Sequence, residues 1–203
     1  MNKYTTLSSA LVLALGLSAP AAFAESASQQ PPGSAQNTRE ATATAPSASP
    51  AEHQRRSESI DAEDFVEEAS AKGIAEIETG KMALERGTET VHRFAQKMID
   101  DHTNANEKLK ELASKHDLDI SDDPTLMDRA KAMTLRVRDG ESFDQAYAKN
   151  QVNAHEESIE LFQRASNSDL ADISNFANET LPKLEEHLKM ARELARKTEA
   201  ADN

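Results

Sequence analysis

The chain has no cysteine and no tryptophan, and aromatic residues make up only 4% of its 203 positions. Without cysteine there are no disulfides, no thiolate nucleophile and no thiolate metal ligand. Any metal site must therefore use imidazole, carboxylate or thioether donors. Glycine is sparse, with six residues that do not gather into a phosphate-binding loop. No serine stands in a nucleophile-elbow setting, so covalent catalysis has no candidate. Strand-type alternation is missing too. Basic charge is short: 23 Lys and Arg face 36 Asp and Glu, for a net charge of -13. Such a surface repels phosphate backbones and anionic headgroups, so a nucleic-acid partner is not expected.

Long apolar runs are absent apart from one near the start. The stretch from Leu11 to Leu17 follows Lys3 and precedes Ala22-Phe23-Ala24. A positive residue, a short apolar core and a small-residue cleavage pattern read as a secretory signal over 1–24, cut after Ala24. The run is too short to cross a bilayer, so no integral membrane insertion is expected. The expected location is the periplasm. Residues 25–58 are rich in Ala, Ser, Thr, Gln and Pro, including Pro31, Pro32, Pro46 and Pro50. They hold too few apolar residues to offset the entropy of ordering, and read as a disordered linker. His53 within it is read as incidental.

From residue 59 to 200 the pattern becomes helical and describes one domain. Helix one is expected from about Asp61 to Arg86, with Phe65, Ala69, Gly73, Glu76, Gly80 and Ala83 on its inward stripe. Helix two, Glu89 to His116, carries Val91, Phe94, Met98, His102, Ala105, Leu109 and Leu112. Steps of three and four are those of a long bundle helix. Asp122-Asp123-Pro124 starts a short helix that runs to about Val137, with Gly140 as its stop. Helix three, Ser142 to Ala165, places Phe143, Tyr147, Gln151 or Val152, His155, Ile159 and Phe162 inward. Helix four, Asp169 to Lys197, does the same with Ile173, Ala177, Thr180, Leu184, His187, Ala191 and Leu194, and contains Pro182. A kink is expected there, because proline cannot donate to the carbonyl of Asn178. Phe94-Ala95 and Glu111-Leu112-Ala113 recur at the same spacing as Phe176-Ala177 and Glu193-Leu194-Ala195. The weak repeat supports two related hairpins.

Four groups break the apolar stripes: Glu76, His102, His155 and His187, one on each long helix. A buried polar group left without a partner costs roughly 2–7 kcal/mol, so these four must be paired or ligated. Helix bundles build metal sites from such inward groups. The four are candidate ligands for a mononuclear transition metal, Zn, Cu or Fe. Met98 and Met190 lie one turn from His102 and His187, and would favour copper if turned inward. Equally open is a metal-free core in which the histidines hydrogen-bond Glu76, Tyr147, Thr180 or Asn150. Asp100 and Asp101 read as a solvated face, with one of them able to orient the imidazole from outside. His92 reads as solvated, and His116 as a structural cation at a helix C-terminus.

Two segments carry a family resemblance. One runs from Phe94 to Asn106 and holds Asp101-His102-Thr103-Asn104-Ala105-Asn106; the other is Thr180-Leu181-Pro182-Lys183-Leu184-Glu185-Glu186-His187-Leu188. With Gly73, Glu76, Gly80, Tyr147 and Gln151 to His155, they resemble the domain of unknown function 4142, often labelled a putative outer-membrane protein. The resemblance covers about 64–197. It implies an all-α, ferritin-like four-helix bundle with a short extra helix between its two hairpins, and no established activity. No barrel strands support the label. A ferritin-like di-iron site needs Glu three residues before its histidines. Ile99 and Leu184 stand there instead. A metal-binding module in envelope stress or metal handling, or a structural adaptor with a metal-free polar core, therefore ranks above a ferritin-derived metallo-oxidase.

Overall fold

The computed structural model describes residues 59–200. The signal, the linker and His53 lie outside the described residues. Within them the chain is all-helical: α1 Ala62–Arg86, α2 Glu89–His116, α3 Leu126–Arg136, α4 Gly140–Ala165 and α5 Ala171–Ala200. No helix among them is long and apolar enough to cross a membrane.

Local chemistry sets the helix ends. The side chain of Asp61 accepts the Glu63 N–H at 2.9 Å and Thr88 accepts that of Thr90 at 3.2 Å. Each satisfies a first-turn donor that the helix cannot. Asp117 closes α2 in the left-handed region, at φ 52°. Helix α5 runs through Pro182.

Helices α1 and α2 form one hairpin, and α4 and α5 the other; α1 packs on α4 and α2 on α5. Contacts at the ends give the directions. The Arg86 guanidinium meets Asp139 at 2.9 Å and the Thr88 N–H donates to Asp144 at 2.9 Å, joining the end of α1 to the start of α4. At the opposite end His116 of α2 meets Asp172 of α5 at 2.7 Å. The segment between α2 and α4 therefore travels the length of the bundle, with α3 lying against α1 and α4. That crossover makes every neighbouring pair of long helices antiparallel.

The core is split in two. One cluster holds Phe65, Leu109, Leu161, Phe162, Ile173, Phe176 and Leu184. The other holds Val91, Phe94, Met98, Leu135, Phe143, Tyr147 and Leu194. On each long helix the residues of one cluster are separated from those of the other by buried polar residues: Glu76 and Thr79, His102, Gln151 to Ser158, and His187.

Candidate metal centre

The polar layer follows from helical periodicity. Tyr147, Gln151, His155 and Ser158 are three or four residues apart on α4, so they share one inward face. Gln151 rather than Val152 occupies the stripe, fully buried. The registers of α1 against α2 bring Glu76 to the level of His102. Gly73 lies against Asn106, where a Cβ would overlap the amide, and Gly80 lies against Ile99 and the Ala95 carbonyl. Glycine permits both close approaches.

Three of the four candidate ligands converge. One ring nitrogen from each of His102, His155 and His187 lies within 4.8 Å of the other two. Ring centroids are 5.6 Å apart for His102 and His155, 5.7 Å for His102 and His187, and 5.4 Å for His155 and His187. Glu76 is buried on the same level but stands outside this group. Its neighbours are Gln151, His155 and Tyr147, whose side chains feel its charge or shape its ionisation.

Outer partners decide which nitrogen of two rings is free. The Nδ1 of His155 is 2.8 Å from the Gln151 carbonyl, which can only accept. That ring therefore carries its proton on Nδ1 and presents the Nε2 lone pair. The Nε2 of His187 is 2.8 Å from Asp101 Oδ2. Burial alone would raise the Asp101 carboxyl, but bonds from Lys97, His187 and Lys183 outweigh it and hold the group well below the usual carboxylate range. Asp101 is thus an anion and His187 donates to it, leaving Nδ1 free. This is the outer support that metal-binding histidines receive from carboxylates and carbonyls. Burial pushes His187 down to about 4, with the Asp101 bond opposing it. Burial, then the charges of the other two rings, takes His102 well below the ordinary histidine value. Both are neutral at pH 7, the state in which imidazole ligates.

His102 Nε2, His155 Nε2 and His187 Nδ1 are buried without a hydrogen-bond partner. So are Glu76 Oε2, the Tyr147 hydroxyl and both amide atoms of Gln151. None of the alternative pairings with Glu76, Tyr147, Thr180 or Asn150 is formed. Thr180 donates instead to the Phe176 carbonyl at 2.7 Å. Burial raises the Glu76 carboxyl, offset in part by His155 and Gln151. Burial and the Glu76 charge raise the Tyr147 phenol well above its usual value.

The remaining candidates fall elsewhere. Met98 is fully buried in the apolar cluster and Met190 packs half-buried against it. His92 is half-buried rather than solvated, its Nε2 donating to the Gly87 carbonyl at 3.1 Å. The role of Lys183 was not legible, since its bond to Asp101 crosses between helices 82 positions apart; Lys97, four residues before Asp101, was visible as a helical pair.

A family model described as Domain of unknown function (DUF4142) matches residues 41–194, which include the three histidines and Glu76. No curated protein and no solved structure matches the chain.

Proposed function

The chain belongs to the DUF4142 family, and we propose from its site that the bundle holds one first-row transition ion through His102, His155 and His187. One observation carries this: one nitrogen from each of three buried rings on three helices lies within 4.8 Å of the other two, and each ring holds a buried nitrogen with no hydrogen-bond partner. The two lone pairs assigned by tautomer cannot satisfy each other, and each unmet acceptor costs about 1–3 kcal/mol. A single cation satisfies all three nitrogens. Around a tetrahedral ion, with bonds near 2.0–2.1 Å, nitrogens sit about 3.4 Å apart, so small ring movements complete the site. An all-imidazole set suits Zn, Cu or Fe. Glu76 is the candidate additional ligand, because the charge of an ion opposes the burial that raises its carboxyl.

The role this supports is metal binding rather than oxidation, since Ile99 and Leu184 replace two carboxylates of the ferritin-type di-iron set. The signal-like residues 1–24 support export, which places the binding in the envelope; the intact mass of secreted protein, starting at Glu25, tests that part. For the site, ion-free protein is titrated with Zn²⁺ while uptake and melting temperature are followed. One equivalent is expected to bind and raise the melting temperature by mass action. His187→Ala should abolish the increase and His92→Ala should keep it. A rise that survives His187→Ala, or no uptake by the natural chain, overturns the proposal.

A further inference from the structure

We infer that a cavity beside the triad seats an exchangeable ligand on the ion, a small anion of two or three heavy atoms in place of water. The inference rests on the ion proposed above and concerns the side of the triad toward the first apolar cluster. A cavity of about 30 Å³ lies there, room for one or two waters, with His102 and His187 in its wall. Glu76, Tyr147 and Gln151 are not among its lining residues. Its other walls are Leu109, Phe162, Phe176 and Leu184, all members of the first apolar cluster. Small residues on α1 and α2, Ala69 and Ala105, are among its walls.

Three histidines and Glu76 leave a further coordination position, since ions in such sites extend from four ligands to five. The cavity is lined by polar residues as well, Ser158, Thr180, Lys72 and Lys183, of which Thr180 donates its hydroxyl proton to the Phe176 carbonyl. Each ammonium has three donors. Lys72 turns to Glu157 at 3.1 Å and Lys183 to Asp101 at 3.2 Å, leaving donors on both. Asp101 is the one carboxylate in the wall, and it is already held by Lys97, Lys183 and His187. With a divalent ion at the triad, the potential in the cavity is positive and favours an anion over a neutral molecule. The volume sets the upper size. Lys183 has a half-exposed side chain and marks the route to solvent.

Azide is a probe of the right charge and length. The full chain is loaded with Co²⁺, whose visible d–d bands report the ion and its coordination. The expected result is a saturable change in those bands on adding azide. Ala105→Leu and, separately, Ser158→Val narrow the cavity without touching a ligand. Each should keep the Co²⁺ bands and weaken azide by about tenfold or more, the equivalent of a modest packing clash. Normal Co²⁺ bands that azide leaves unchanged overturn the inference and leave the ion site standing. Azide acting on both variants as strongly as on the natural chain shows entry from another side, which also overturns it. A chain that develops no Co²⁺ bands removes the ion proposal and this inference together.

Discussion

The two apolar ends of the bundle and the polar layer between them are built on opposite terms. At one end Phe65 meets Phe162 edge-on at 5.0 Å and Phe176 at 6.4 Å, and each ring is covered by its neighbours. At the other, Tyr147 stacks on Phe143 at 5.8 Å and meets Phe94 at 6.1 Å. Such contacts stabilise the fold through buried area and ring packing. In the layer between, six side chains hold buried atoms without partners. A ligand-free layer of that kind costs stability. The outer bonds sharpen the contrast. Asp101 and the Gln151 carbonyl fix two imidazoles from behind, while the other nitrogen of each ring has no hydrogen-bond partner.

The largest expected effect lies at an apolar end. Phe65→Ala should cost about 3–5 kcal/mol in chemical denaturation, with the same loss in ion-free and Zn²⁺-loaded protein. A loss under about 1 kcal/mol would show that this end does not carry the fold.

Next comes pH in the ion-free protein. Unfolded histidine takes a proton near 6.5, whereas the folded pKa of His187 is about 4 and that of His102 is also well below 6.5. Stability is therefore full above about 6.5, falls as the unfolded chain alone gains protons, and is lost as pH passes down through the folded values. Glu76 acts in the opposite sense. Its folded value is raised, so its contribution improves as pH falls. Measuring in a Glu76→Gln background isolates the histidines, and a decline on the order of 2 kcal/mol between pH 7 and 4.5 is expected. The decline should begin above the range where Asp101 takes up a proton. A flat profile down to pH 4.5 would mean that the rings are not buried as neutral groups.

The smallest effect distinguishes the layers most directly. His155→Leu removes an unpartnered nitrogen, and the Gln151 carbonyl keeps its helical N–H. Ion-free stability should stay within about 1 kcal/mol of the natural chain or rise, while the Zn²⁺ response disappears. A loss of several kcal/mol without the ion would place His155 among the structural residues and erase the contrast.

Much of the bundle was legible from spacing. The limits expected for α2, Glu89 to His116, are those observed, because Thr88 is a capping residue and the apolar stripe ends near Leu112. The stripe of α1, from Phe65 to Ala83, is buried throughout. The crossover α3 departs from the rule. Leu126, Met127, Met133 and Val137 are exposed, since only one face of this short helix reaches the bundle through Ala132 and Leu135. Periodicity tells which face is apolar but not how much of a short helix a neighbour covers. Helix α4 starts at Gly140, two residues before the expected Ser142, with Gly140 at φ 57°. Only a residue without a side chain takes that angle readily.

Residue type and spacing by themselves determined that the long helices would be amphipathic, that thiolates would play no part, and that each long helix would turn a polar group inward in mid-length. Those properties are local, set by the 3.6-residue turn and the chemistry of each side chain. Tertiary packing alone decided that His102, His155 and His187 meet while Glu76 stands beside Tyr147 and Gln151. It also decided that Asp101 on α2 reaches His187 on α5, 86 positions away, and that a cavity opens beneath the triad. Helix phase leaves rotation and axial shift free to within a few ångströms. A bond of 2.8 Å or a shared ion depends on those few ångströms, and they are set by how the packed ends bring the helices into register.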